Sequence, residues 1–299
     1  QAAGPLREEG RQESGAVYRI YMPAQGAWNG DLVVYAHGYV PPQAPVGIPD
    51  DQMSLPGGPS LAEVTTALGY AFAVTSYRTN GLAVPEGVAD ILDLVQIFQR
   101  GHGQPHHVYL AGVSEGGLIT ALAIERHPEV FAGGLAVCGP VGDFRQQINY
   151  IGDVRVVFDY FYPGLLPGSP VNVPPEVING WAATYRPKVE AALRAKPEVV
   201  AQIVTVAHVP VNPGNLDEAV AALENLLWYS VMATNDGVAK LGGQPFDNSD
   251  RVYAGSRDDA SLNRGVARFR ADVAAVHRMQ SQYQTSGRLR VPLVLMPRL

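Results

Sequence analysis

Residues 106–117 read HHVYLAGVSEGG, an apolar run that closes on Gly112-Val113-Ser114-Glu115-Gly116-Gly117 and passes directly into a helix-like segment over 116–126. A short apolar run bounded by turn residues reads as a buried strand. The glycines fall where a sharp strand-to-helix turn must let two backbones approach closely. Such a turn lifts the Ser114 hydroxyl above the sheet, with the positive end of the following helix dipole beneath it. The alternative is a structural Gly-rich turn, because a G-x-S-x-G match by itself recurs by chance.

Working outward, residues 31–39 (DLVVYAHGY) and 70–77 (YAFAVTSY) are further apolar runs, and 16–22 is a shorter alternating one. A Pro-rich loop occupies 41–59. Ser60 then caps a short helix through 68 that Gly69 stops. Residues 85–100 place Val88, Ile91, Leu92, Val95 and Phe98 on one helical face. A strand over 134–137 completes the series. Strands alternating with helices of this length predict an α/β fold: a mostly parallel sheet with right-handed crossovers in a three-layer α/β/α sandwich.

After Gly142 the rhythm breaks. Residues 144–264 are rich in Tyr, Pro and helical pattern, such as 218–233, and read as an inserted helical cap. A helix over 268–283 and a strand over 291–296 return to the sheet. The expected division is therefore a core of 1–143 and 265–299 with a cap of 144–264.

The 299 residues carry a net charge of −6 without a block of like charges, which argues against a nucleic-acid partner. The single cysteine, Cys138, excludes an intrachain disulfide, and no Cys/His spacing suits a structural metal, so no metal or cofactor is expected. No apolar run approaches the roughly 18 residues of a membrane span, so no membrane partner is expected. The opening Gln-Ala-Ala-Gly-Pro fits either a mature terminus after signal removal, hence a secreted or periplasmic protein, or an edited start.

Acyl transfer requires donors for the oxyanion. The N–H of Glu115, after the serine, and the N–H of Tyr39, after His37-Gly38, hold the positions for them. The side chain of His37 reads as a structural histidine bonding neighbouring loops, in preference to a proton-transfer role, and its place at the strand's carboxyl end keeps His37 and Gly38 on the oxyanion and substrate-binding side of the sheet. The side chain of Glu115 reads as a group leaving the turn to work within the pocket. Arg78, after the second strand, is a polar anchor or a salt bridge.

The order YAHGY, TSYRTNG, GVSEGG, AVCGP resembles the α/β-hydrolase superfamily, in particular its capped serine esterases and related peptidases. The resemblance implies an acyl-enzyme on Ser114 and a small-molecule ester substrate. It places the acid after the strand matching VPLVLM and the histidine one strand later. This sequence has Pro297-Arg298-Leu299 there, C-terminally short of the family pattern, so neither is assigned at its usual place. Asp143 is an alternative acid, since some lipase-like members carry theirs after the preceding strand; a loop-capping role competes with it. His208 is the one histidine of the cap that could serve as base. His102, His106, His107 and His127 fall at the edge of the sheet away from Ser114, and His277 on a solvated helix face. Tyr150, Phe158, Tyr160, Phe161 and Tyr162 line an acyl pocket or pack a core. The rival readings are a non-catalytic ligand-binding or interaction protein on a truncated scaffold, and a homo-oligomer joined through an exposed sheet edge.

Overall fold

The computed structural model describes residues 6–297. The terminus Gln1–Pro5 and the Arg298-Leu299 pair lie outside the described residues. Seven strands form one sheet: β1 (Leu6–Arg11), β2 (Val17–Met22), β3 (Leu32–Ala36), β4 (Ala71–Thr75), β5 (Val108–Val113), β6 (Gly133–Val137) and β7 (Leu293–Met296). Their order is β1-β2-β4-β3-β5-β6-β7. The pairs from β4 through β7 are parallel, whereas β1–β2 and β2–β4 are antiparallel. The sheet is thus mostly parallel, as its alternating helices require.

The central strands are apolar except for Thr75 at the end of β4, because both faces are covered. On one face Val33, Tyr35, Phe72 and Val74 pack with Ile48 and Met53 from the Pro-rich stretch and with α1 (Leu61–Ala67). Ser60 opens α1 with a capping box: its hydroxyl accepts the Glu63 N–H while the Glu63 carboxylate accepts the Ser60 N–H. The other face takes α2 (Val84–His102) and α3 (Glu115–Arg126), which pack on each other and on β3, β4, β5 and β6. α2 buries Val88, Ile91, Val95 and Phe98 of the stripe its spacing predicts, while Leu92 is only partly buried and Leu94 takes the inward place.

The structure adds one strand and corrects one expectation. β1, LREEGR, is too polar to signal a strand; it forms through backbone pairing with β2, and Glu9 meets its register partner Arg19 in a 3.0 Å ion pair. The helix expected over 268–283 shrinks to α10 (Val273–Arg278) and one π turn, Met279–Tyr283. Residues 268–272 are drawn out by other bonds. The Phe269 N–H donates to the Asn248 side chain, and the Asp272 carboxylate accepts the Gln244 N–H.

The chain divides into two compact units: one runs to Phe144 and resumes at Ser281, and the other is Arg145–Gln280. Residues 265–280, assigned to the core by the sequence reading, fall in the second unit. That unit is helical, with α4 (Phe144–Phe161) opening at the boundary, then α5 (Pro175–Asn179), α6 (Arg186–Ala195), α7 (Pro197–Val206), α8 (Leu216–Leu241), α9 (Asp259–Gly265) and α10. It has its own core, in which Phe158, Tyr162, Trp181, Leu193, Leu223 and Leu227 are buried. No helix among the described residues is long and apolar enough to cross a membrane.

Candidate active site

Four non-glycine residues among those described have a left-handed φ, and three follow parallel strands of one sheet: Tyr77 after β4, Ser114 after β5 and Cys138 after β6. An L side chain is strained there, and such strain gathers where a site demands it. It lies here along the carboxyl edge, where open α/β sheets bind ligands.

Ser114 takes φ 57° and ψ −123° between β5 and α3, its N–H donating to the Val137 carbonyl at 2.8 Å. Its hydroxyl does not cap the helix. The neighbouring glycines are steric requirements. A Cβ on Gly112 would overlap the Gly116 carbonyl, and one on Gly116 would overlap the carbonyl of Ala36 in β3. A Cβ on Gly117 would come within 2.9 Å of Gly139 Cα. The strand-turn-helix packing is possible only with these residues, and it presents Ser114, half-buried, at the start of α3.

The His37–Tyr39 segment lies beside this turn, since a Cβ on Gly38 would stand 3.2 Å from the Val113 carbonyl and 3.3 Å from Ser114 Cβ. His37 is buried, and its Nδ1 pairs with the Gly38 carbonyl at 2.7 Å, where it acts as the donor. Its ring stacks on Tyr77, centroids 4.0 Å apart, and the Tyr77 hydroxyl donates to the His37 carbonyl at 3.1 Å. Burial lowers the His37 pKa, against the opposing pull of the Gly38 and Ser76 backbone and of Asp51. Burial, then the nearby Glu115 charge, raises that of Tyr77 well above the ordinary phenol range. Both rings are neutral near pH 7. His37 is thus held by the neighbouring loop and by Tyr77.

The Glu115 carboxylate is buried and accepts the Ala83 N–H at 2.9 Å, at the start of α2. It therefore also favours the positive end of that helix. Arg78 is a salt bridge of unusual placement: Nη2 lies 2.5 Å from Oδ1 of the fully buried Asp90, whose Oδ2 also accepts the Arg78 N–H at 2.7 Å.

Asp143 is exposed in the loop between β6 and α4. His208 belongs to the helical unit, exposed after α7 with φ 53°. His106 and His107 precede β5 at the end opposite Ser114, and His107 Nδ1 pairs with Asp31 at 3.0 Å. His102 ends α2 against Glu8 at 3.0 Å, and His127 ends α3 against Glu129 at 3.3 Å. The aromatic cluster packs the helical unit: Phe158 and Tyr162 are in its core, with Tyr150, Tyr160 and Phe161 against it.

Two side chains at this edge escaped the sequence reading. Tyr77 stood inside the quoted TSYRTNG, but its contact with His37 joins residues forty positions apart. Gln52 follows Asp50 and Asp51 in the Pro-rich stretch, with no pattern to mark it; it accepts the Gly38 N–H at 2.7 Å.

No curated protein matches the chain. Among solved structures it is similar to the acylaminoacyl peptidase of Pyrococcus horikoshii, at 18% identity over 52% of this chain and 26% of that one, with a TM-score of 0.37. It is also similar to Est1E from Butyrivibrio proteoclasticus, at 18% identity over 50% of this chain and 56% of that one, with a TM-score of 0.35. The chain thus spans about a quarter of the peptidase and little more than half of Est1E. The model of the family described as serine aminopeptidase, S33, matches residues 83–296, which take in the Ser114 turn, α3, the whole helical unit and β7. This chain belongs to the serine aminopeptidase S33 family, within the α/β-hydrolase superfamily.

Proposed function

We propose that the protein is a serine hydrolase that cleaves carboxylic esters through an acyl-enzyme on Ser114. The observation that carries this reading is the left-handed Ser114 on a turn packed so closely that Gly112 and Gly116 can carry no side chain. Strain of roughly 1–3 kcal/mol persists only where the surroundings impose it, and here it holds one hydroxyl at the carboxyl edge of the sheet.

In the proposed route Ser114 Oγ attacks the ester carbonyl while a base removes its proton. The carbonyl oxygen becomes an oxyanion held by the N–H groups of Glu115 and Tyr39. Collapse expels the alcohol, which takes the proton, and water then hydrolyses the acyl-serine. The sequence offers Asp143 and His208 for the acid and base. His37 is unsuited to proton transfer, since its Nδ1 is engaged and burial disfavours its charged form. The route uses no metal or cofactor.

The test is hydrolysis of p-nitrophenyl acetate and butyrate by the wild type and Ser114→Ala, with fluorophosphonate labelling of both. Ester hydrolysis and labelling are expected in the wild type and absent in the variant. Absence of both from the wild type would favour a non-catalytic binding protein. The family description makes amide cleavage the second reading; faster turnover of aminoacyl p-nitroanilides than of esters would select it. Asp143→Asn and His208→Gln, assayed alongside, decide the acid and base: the residue concerned should lower kcat by about 10²–10⁴-fold.

A further inference from the structure

Gln52 ends a single 3-10 turn, Asp50–Gln52, in the Pro-rich stretch. Its amide grips the loop beside Ser114 twice. Oε1 accepts the Gly38 N–H at 2.7 Å, and Nε2 donates to the Tyr39 carbonyl at 3.3 Å. These two groups belong to the peptide units just before and just after the Gly38–Tyr39 peptide, whose own carbonyl is held by His37 Nδ1. A peptide unit is planar, so fixing its carbonyl and both neighbours fixes the direction of the Tyr39 N–H.

The mount under Gln52 is rigid. Met53, the next residue, is buried in the cluster with Ile48, Tyr35 and Phe72, and its carbonyl accepts the Leu61 N–H at 2.8 Å. On the other side the loop is pressed between Gln52 and the serine turn, since a Cβ on Gly38 would lie 3.1 Å from Gln52 Oε1 and 3.3 Å from Ser114 Cβ. The Asn80 side chain ties the same stretch down through the Ala44 carbonyl at 2.8 Å.

We infer that Gln52 is a positioning residue for acyl transfer: it aims the Tyr39 N–H at the oxygen of a substrate attacked by Ser114. The inference rests on the proposed hydrolase reading and adds to it a residue outside the serine motif. It also explains the residue type. A carboxamide is a donor and an acceptor on one planar group, so it can hold an N–H and a carbonyl together, whereas a carboxylate only accepts.

The experiment compares wild type, Ser114→Ala, Gln52→Ala and Gln52→Glu by kcat and KM on p-nitrophenyl acetate, with rates normalised to fluorophosphonate-titrated sites. The affinity for phenylboronic acid, which places a negative oxygen beside the serine, is measured in parallel, as is Tm. A misaimed donor is felt in the transition state, so Gln52→Ala should lose about 10–100-fold in kcat and a similar factor in boronate affinity, with KM within about twofold. Gln52→Glu, which keeps the Gly38 bond and loses the Tyr39 one, should fall between. A titrated-site kcat within twofold of wild type in Gln52→Ala overturns the inference even if Tm drops, because Gln52 would then serve folding alone. A wild type without Ser114-dependent hydrolysis fails the hydrolase reading itself, and this inference with it.

Discussion

His37 shows how a buried side chain reports its environment. An unfolded chain protonates this imidazole near pH 6.5, whereas burial lowers the pKa in the folded protein. Above pH 6.5 both states are neutral and the group contributes no slope. Below it the unfolded state binds a proton that the folded state refuses. Stability is therefore lost as pH falls from about 6.5 toward the folded pKa, by up to ~1.4 kcal/mol per unit. Urea midpoints from pH 5 to 8 should show this acid limb in the wild type and a shallower one in His37→Phe, which keeps a ring on Tyr77 but has nothing to titrate. An equal limb in both would assign the slope elsewhere. The place of His37 at the carboxyl end of a strand was legible in the sequence, and its stacking on Tyr77 was not. The destination of the Glu115 side chain was not, because it is set by Ala83 at the start of α2, thirty-two residues away.

At the scale of elements, spacing carried most of the information and contacts the remainder. Gly112 and Gly116 were read as allowances for close backbones, and the structure supplies the obstacles: the Gly116 and Ala36 carbonyls, which are main chain and cannot swing aside. Gly116→Ala should therefore be destabilised by about 3 kcal/mol or more, at the upper end for overpacking, as read by denaturant unfolding. Gly101 gives the contrasting case. It lies in the last turn of α2 with open space around its Cα and a φ outside the left-handed region, so Gly101→Ala should gain up to ~1 kcal/mol. The Ser60 cap was legible from Ser and Glu three residues apart, and Ser60→Ala should lose about 1 kcal/mol. β1 was not legible, because a strand exposed along its charged residues has no hydrophobic alternation to read. The shortened α10 has the opposite cause: a helical pattern over 268–272 yields to bonds with Asn248 and Gln244 that no local reading contains.

Across the whole molecule, the sheet was legible because burial on both faces leaves continuous apolar runs, and the break after Gly142 because the pattern changes from strands to helices. The residue at which the second unit ends was not, since Arg145–Gln280 is defined by its contacts and carries no composition shift at its far end.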